Sequence, residues 1–450
     1  MSKGYTFSLK VMIDKETNKL LFARADRHFV DIVLSFMTLP LGRIIKVLKQ
    51  HYGDEVPTFG SLNNLYHSLS NLDSTHFVTD GAKRYLLNPI SSLEDDYRRL
   101  KLDITDYQPA EYFECSGSIC FYGFRSISMY YDGIRRCRYF SYHTMTSKVA
   151  KKVSNAGSSD GVWTIPRESF TIFDDLQLFP NEIGLVRILA LLGITGANKM
   201  ELIQVDLGFN EIMKLLRASL MSPTPLSDVI LIKTTPMDST SIPLNEISKE
   251  ENPNSSSVSL KVVMQKSSGK LLYAQAKEDF VEFLFSLFTI PIGGAEHLMG
   301  GKTCFKAIDN LYRSTAEFLG EEYFKTADTK KRLMNPNLPH GCTSRNQILP
   351  LVEECLPADY TDDLSNFYSK KFPKGQGCYL EGPTTYHVTN DLIVTPFCPL
   401  SVLSSLNSLK ILISDVEERE IQIGFKEGLS ILKASLTSTS VLTDALLTPI

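Results

Sequence analysis

The sequence has no long apolar run, no large excess of either charge and few cysteines. Its most apolar stretch, residues 280–292, is about 13 residues long, short of the roughly 20 that span a bilayer. The net charge of −4 gives no general attraction to nucleic acid or anionic membranes. Residues 1–16 lack the apolar core of a signal peptide. These absences predict a cytoplasmic or nuclear protein without a membrane segment, whose eight cysteines are reduced or metal-bound rather than disulfide-paired.

The chain repeats itself. Residues 8–42 align with residues 259–293 without a gap at an offset of 251. The identical pairs include Lys10 with Lys261 and Pro40 with Pro291. A length of 450 residues is too long for one ordinary core and suits two domains of roughly 200 residues each.

The correspondence continues beyond this stretch with two changes of offset. Asn64-Leu65-Tyr66 matches Asn310-Leu311-Tyr312 at an offset of 246. Residues 161–231 match residues 377–447 at an offset of 216, so the first copy holds 30 residues that the second lacks. The extra residues lie in an insertion at about 90–160.

Hydrophobic periodicity predicts the elements of each copy. Residues 7–13 and 19–25 alternate around a short polar turn, which indicates a β-hairpin. The period then becomes three to four, and Asp26 is a suitable N-cap for a helix that Pro40 ends. Later in the copy, the pattern predicts a strand, an Asx turn at Asp174-Asp175 and a strand, followed by one more strand and an amphipathic helix.

The predicted fold is α+β, a tandem duplication of a β-hairpin/helix/strand/helix module. The first repeat domain covers residues 1–231 and the second covers residues 258–450. Residues 232–257 are rich in Ser, Thr, Pro, Asn and acids, a composition that predicts a flexible linker. Whether the repeats share one core, and in what oligomeric state they exist, stays open.

Several motifs together resemble a known family. They are the segment LLFARADRHFVDIVLSFMTLPLG, the NLY motif, the NDLIVTP motif and the ending IGFKEGLSILKASLTSTSVLTDALL. They are similar to the plant proteins grouped as domain of unknown function 674, and the similarity covers nearly the whole chain except the linker. The resemblance implies a plant protein in duplicated form, with no established activity, catalytic residues or ligand. It also implies paired cysteines ending in Cys-x-Cys-Gly, whereas this chain has Cys137-Arg138-Tyr139.

The insertion carries the candidate metal site. Structural zinc takes four thiolate or imidazole ligands in a tetrahedron. Cys115, Cys120 and Cys137 supply three, and His143 would have to be the fourth. Ordinary reduced thiols are the alternative, in which case the protein has no cofactor.

The same region carries a candidate anion or nucleic-acid contact. Basic side chains interleaved with aromatic ones can hold single-stranded nucleic acid by charge and stacking. The basic residues in question are Arg135, Arg136, Arg138, Lys151 and Lys152. A solvated loop is the competing interpretation, and the acidic net charge favours it, so a nucleic-acid partner is not expected.

Two further patterns indicate turns or loops rather than chemistry. Gly300-Gly301-Lys302-Thr303 lacks the glycine that a phosphate-binding loop needs, because Glu296 stands there. Asp174-Asp175 corresponds to Asn390-Asp391, and a catalytic acid pair would not survive that change.

The sequence therefore contains no complete catalytic constellation, and we expect a non-catalytic protein that binds an unknown protein partner. The alternatives are an enzyme or small-ligand protein with a site between the repeats, or a zinc-binding or nucleic-acid-contacting protein acting through residues 115–152.

Overall fold

The computed structural model places two five-stranded antiparallel sheets among short helices. It describes residues 4–55, 57–78, 80–105, 113–114, 127–128, 147–148, 161–166, 169–194, 200–231, 257–339, 342–344, 347–354, 379–408 and 410–447. We call residues 4–231 the first half and residues 257–447 the second half. The α+β class predicted from the sequence is confirmed, with one five-stranded sheet in each half.

The first half contains the following elements in chain order: β1 (Phe7–Asp14), β2 (Lys19–Asp26), α1 (Arg27–Thr38), α2 (Leu41–Tyr52), α3 (Leu62–Asn71), α4 (Asp80–Leu87), α5 (Glu94–Tyr97), β3 (Phe113–Glu114), β4 (Ile127–Ser128), β5 (Ser147–Lys148), β6 (Ser169–Phe173), β7 (Leu178–Pro180), α6 (Leu185–Leu191), β8 (Met200–Leu207), α7 (Phe209–Met221) and α8 (Pro225–Ile230). The order in its large sheet is β7-β6-β2-β1-β8, and β3, β4 and β5 form a separate small sheet.

The second half repeats this arrangement: β9 (Val258–Gln265), β10 (Leu271–Lys277), α9 (Glu278–Ser286), α10 (Ile292–Leu298), α11 (Lys306–Phe318), α12 (Ala327–Met334), β11 (Thr385–Thr389), β12 (Val394–Pro396), α13 (Pro399–Ser408), β13 (Val416–Ile423), α14 (Phe425–Thr437) and α15 (Val441–Leu446). The sheet order is β12-β11-β10-β9-β13, the same topology as in the first half.

Local chemistry accounts for the start of each module. The Asp26 carboxylate accepts a hydrogen bond of 2.9 Å from the backbone nitrogen of Phe29, so Asp26 caps α1 as predicted. Helix α1 is buried over nearly its whole length, and it ends at Thr38, with Leu39 as its C-cap just before Pro40. The proline has no backbone hydrogen to donate and cannot continue the helix.

The two halves exchange a helix. Helix α3 of the first half packs against β12 and α9 of the second half. Its counterpart α11, from the second half, packs against β7 and α7 of the first. Each sheet is therefore covered in part by a helix from the other repeat.

Backbone contacts at the junction follow the same pseudo-twofold pattern. Leu41 donates its backbone N–H to the carbonyl of Ile290 at 2.9 Å, and Ile292 donates to the carbonyl of Leu39 at 3.0 Å. Around them, Phe36 and Phe288 are fully buried. One continuous apolar core runs through both halves.

Candidate interaction surface

The site residues predicted in the insertion lie outside the described residues. This applies to the candidate zinc ligands Cys115, Cys120, Cys137 and His143. It applies equally to the candidate anion-contacting residues Arg135, Arg136, Arg138, Lys151 and Lys152. Both predictions stay predictions.

Cysteines elsewhere are free thiols in the described part of the chain. Cys304 is half-buried, Cys342 is buried and Cys398 is exposed. Among the described residues, no three His, Cys, Asp or Glu side chains come together in a way that could hold a metal ion.

The Asp174-Asp175 pair forms the β6–β7 turn. Asp174 accepts two hydrogen bonds of 2.7 Å, from the backbone nitrogen and the hydroxyl of Ser227 in α8. Burial raises the pKa of Asp174 to about 6, and the nearby Asp228 and Asp175 carboxylates add to the rise, opposed by the Ser227 hydrogen bonds. In the second half Asn390 holds the backbone nitrogen of Thr443 at 2.9 Å in the same way. The acid therefore has a structural role that an amide can fill.

Buried Glu296 contacts the Gly300-Gly301-Lys302-Thr303 loop, which joins α10 to α11 with the Lys302 side chain exposed. The Thr303 hydroxyl oxygen lies 2.6 Å from Glu296 Oε1 and 2.8 Å from Asp309 Oδ1. Burial raises the pKa of Glu296 well above its ordinary value, and the Asp309 carboxylate raises it further. Glu296 and Asp309 thus both bind the Thr303 hydroxyl and hold the loop from inside the protein.

Another buried acid, Asp31 in α1, anchors the start of the chain after the insertion. It accepts hydrogen bonds from the backbone nitrogens of Val162, at 2.6 Å, and Thr164, at 3.1 Å. Burial raises its pKa to about 6, although these hydrogen bonds act in the opposite direction. With its oxygens occupied by backbone donors, Asp31 positions the loop.

The outer face of the first sheet, the side away from the shared core, differs from these internal clusters. The strand register places four apolar side chains in one row across neighbouring strands: Phe173, Phe22, Met12 and Leu202. The row is buried at the β6 end, where Ile188 of α6 packs on Phe173. It rises to the surface at the β8 edge, where Leu202 is 62% exposed. An apolar strip thus runs from the residues that α6 covers to the edge strand β8.

A neighbouring row on the same face is basic. Lys10 of β1 lies directly opposite Arg24 of β2. Both side chains are exposed, and neither has an acidic ion-pair partner among the described residues. Arg24 donates a hydrogen bond of 3.1 Å to the Ser169 hydroxyl. Like charges directly opposite each other weaken a strand pair, so this arrangement costs stability in isolation.

The second sheet has an ion pair and a buried side chain at the matching positions. Lys261, which corresponds to Lys10, lies opposite Gln275 and not opposite a cation. It forms an ion pair of 3.1 Å with Glu418, which corresponds to Leu202. Val263, which corresponds to Met12, is buried. At these matched positions, within the part of the chain that the structure describes, only the first half has an exposed apolar residue beside cations without an acidic ion-pair partner.

Other exposed apolar surface is shared by both repeats. Val186 in α6 is 83% exposed and Leu400 in the matching helix α13 is 77% exposed. In the first half this surface continues into an open depression of about 990 Å³ lined in part by Leu21, Leu191 and Met200. Its acidic lining residues are Asp14, Glu16, Asp174 and Asp175. Residues 195–199, which join two of its walls, lie outside the described residues.

Sequence reasoning missed the row ending at Leu202 and the cations beside it. A signal for it was present, because the repeat alignment sets Leu202 against Glu418 and Arg24 against Gln275. The alignment alone shows that an apolar residue replaces an acid and that a base replaces a neutral residue. It does not show that the two positions are neighbours, because that depends on the strand register, which brings Lys10 beside both.

Comparisons with known proteins give one match. A family model described as "Protein of unknown function (DUF674)" matches residues 3–426. Neither a curated protein nor a solved structure matches the chain. Within the described residues, no helix is long and apolar enough to cross a membrane.

Proposed function

The chain belongs to the DUF674 family of proteins of unknown function, and from that premise we propose that it is a non-catalytic interaction protein. Its binding surface is the outer face of the first sheet, where the apolar row emerges at β8. The observation that carries this proposal is the contrast between Leu202, exposed beside Lys10, and Glu418, paired with Lys261.

The contrast matters because the two sheets have the same topology and arose from the same repeat. Edge strands are usually protected by charges, since an open apolar edge invites pairing and aggregation. The second half has this protection in Glu418, and β13 also carries Glu417, Arg419 and Glu420. Strand β8 keeps charged residues at Glu201 and Asp206 but has Leu202 at the position of Glu418. The loss of one protecting charge, at an exposed apolar residue, supports a binding role.

The internal acids support the same conclusion. The carboxyls of buried Asp31 and Glu296 and of half-buried Asp174 are each bonded to backbone or hydroxyl groups of the protein itself. General acid–base catalysis needs a titrating group within reach of a substrate. These three groups stabilise loops and turns instead.

The proposal also includes the organism of origin, the cellular location and the boundaries of the two repeats. A plant origin rests on the family resemblance, and action in the cytosol or nucleus is consistent with the free thiols of the three cysteines that the structure describes. We retain the repeat boundaries at residues 1–231 and 258–450, with residues 232–257 as the linker.

The test compares two charge substitutions at exposed leucines. Leu202→Glu introduces the acid that the second half already has, and Leu412→Glu places the same charge on a side chain that is 71% exposed in the second half. Tagged wild type and both variants are purified from the source tissue with their associated proteins. We expect Leu202→Glu to lose specific partners that wild type and Leu412→Glu retain. An identical set of partners with all three chains would contradict the proposal.

A further inference from the structure

We propose that Glu296 and Asp309 form a proton-dependent latch on the loop between α10 and α11, closed while the pair holds a proton and released when both acids are ionised. The loop covers residues 299–305 and ends at the junction with the first half, where the Phe305 and Phe59 rings meet edge to face with their centroids 6.4 Å apart. The latch is separate from the outer face of the first sheet, so it does not rest on the proposed function.

The two carboxyl groups meet at one threonine. The Thr303 hydroxyl oxygen lies 2.6 Å from Glu296 Oε1 and 2.8 Å from Asp309 Oδ1, which also accepts a hydrogen bond of 2.9 Å from the Thr303 backbone nitrogen. Glu296 is fully buried, and within the described residues its other oxygen, Oε2, has no hydrogen-bond donor. A buried carboxylate oxygen without a donor is unfavourable. A proton on Glu296 removes this cost, because Glu296 can then donate to Asp309, which lies within hydrogen-bonding reach.

Several neighbouring elements contribute to the electrostatics of Glu296. Burial raises its pKa well above the ordinary value, the Asp309 carboxylate raises it further, and the Arg313 guanidinium opposes the rise without outweighing it. Helices α1 and α12 also pack on α10, and they approach it at Gly293 through backbone carbonyl groups. The other titratable or charged groups nearby are Tyr312 of α11, Cys304 in the loop and Lys433 of α14, which acts on Cys304. Loss of the proton therefore leaves two carboxylates in contact, which repel each other and weaken the bonds that hold Thr303.

The first half holds the matching loop without an acid. Ile45, which is buried, corresponds to Glu296, and Asn63 corresponds to Asp309. The Asn63 side chain accepts a hydrogen bond of 3.0 Å from the backbone nitrogen of Phe59 and donates one of 3.2 Å to a backbone carbonyl of the same loop. Neither Ile45 nor Asn63 titrates, so the fold itself does not need the acid pair. The acids therefore give the second half a dependence on protons that the matching loop lacks.

The backbone of the loop favours its release once the latch opens. Cys304 has a left-handed conformation (φ = 79°), which a residue with a β-carbon adopts only at a cost. The two carboxyl groups hold the adjacent Thr303 and thereby keep this conformation in place. When they let go, the loop can relax, and the contact of Phe305 with the first half loosens with it.

Hydrogen exchange of the full chain, measured by mass spectrometry at single-amide resolution, tests the latch. The Thr303 and Phe59 amides are a matched pair, because each donates to the latch side chain of its own repeat. Each exchange rate is divided by the intrinsic rate at the same pH, between about pH 5 and pH 9, and the protection of Thr303 is expressed relative to that of Phe59. We expect this ratio to fall by at least about tenfold as pH rises and then to level off, because opening releases a proton only while the closed pair holds one. A ratio that does not change with pH would overturn the inference.

Two variants identify the group that carries the proton. Glu296→Gln keeps a side chain that can accept from Thr303 and donate to Asp309 but cannot ionise, so its ratio should stay constant over the whole pH range. His297→Gln removes the exposed titratable side chain next to Glu296 and should leave the fall of the wild type unchanged. A fall that persists in Glu296→Gln, or one that disappears in His297→Gln, would contradict the latch. If Glu296→Gln does not fold, the wild type and His297→Gln still decide the outcome.

Discussion

The side-chain amide of Asn64 donates hydrogen bonds to Asp391 in the other half of the molecule, 3.1 Å to a carboxylate oxygen and 3.2 Å to the backbone carbonyl. Asn310 makes the matching pair of bonds to Asp175, at 3.1 and 3.3 Å. The NLY motif thus connects each exchanged helix to the Asx turn of the opposite sheet. This reciprocal pair explains why the motif occurs in both repeats.

Replacing either asparagine should weaken the whole molecule. Each of the variants Asn64→Ala and Asn310→Ala should lower the free energy of unfolding by about 1–2 kcal/mol, because part-buried acceptors lose their donor. Chemical denaturation measures the loss. Asn71→Ala is the control, since Asn71 is exposed and its side chain bonds to exposed His67, and it should change stability by less than about 0.5 kcal/mol. Equal effects at all three positions would contradict the special role of the exchanged helices.

Cutting the linker should leave the halves together. A protease site introduced within residues 232–257 would remove the covalent connection but not the exchanged helices or the shared core. Size-exclusion chromatography of the cut protein at micromolar concentration should give one peak containing both fragments, which separate only on denaturation. Two folded fragments that separate would show that the exchanged helices do not hold the two halves together.

The local elements could be predicted from the sequence, and the exchange could not. The hairpin at residues 7–26, the Asp26 cap and the Asp174-Asp175 turn depend on neighbours in the chain, so pattern and turn chemistry were sufficient. The bond from Asn64 to Asp391 joins residues 327 positions apart. A repeat alignment shows that Asn64 and Asn310 are equivalent, but it does not say which sheet each one contacts.

Asp174 should make the protein less stable as pH rises. Its pKa of about 6 in the folded protein exceeds its value in an unfolded chain, so protonation favours the fold. The contribution is fully present below about pH 4 and is lost as pH rises through 6. Asp174→Asn copies Asn390 and removes this dependence. The unfolding free energy of the variant minus that of wild type should therefore be roughly 2 kcal/mol larger at pH 7 than at pH 4.

Denaturation midpoints at several pH values check this difference. The reverse change, Asn390→Asp, provides a matched comparison and should introduce the same kind of loss at neutral pH. A stability difference between Asp174→Asn and wild type that does not vary with pH would refute the assignment.

Arg43 should be among the most sensitive positions of the first half. Its buried guanidinium donates hydrogen bonds of 2.9 Å to Glu94 and to Asn88, and one of 3.0 Å to the carbonyl of Thr105. Arg43→Ala would leave the Glu94 carboxylate buried without its cation, at an expected cost of about 3–5 kcal/mol in unfolding free energy. Arg43→Met combined with Glu94→Gln removes both charges and should recover part of that loss. A double variant no better than Arg43→Ala would show that the ion pair is not the cause.

Leu202→Glu should leave the fold intact. The new carboxylate would lie beside Lys10, in the arrangement that Glu418 and Lys261 already form in the second half. The residue is largely exposed, so the unfolding free energy should change by no more than about 0.5 kcal/mol. Thermal and chemical denaturation of the variant check this. A larger loss would mean that Leu202 contributes to folding, and binding data from the variant would then not isolate the surface.

Site-specific photo-crosslinking tests the interaction surface most directly. A photo-reactive amino acid is placed at position 202 in one protein and at the matched position 418 in another, and both are irradiated in extracts of the source tissue. Our account predicts discrete crosslinked products at position 202 that are absent at position 418 and disappear when Lys10 and Arg24 are both changed to Glu. Products of the same size and yield at both positions, or none at position 202, would contradict it.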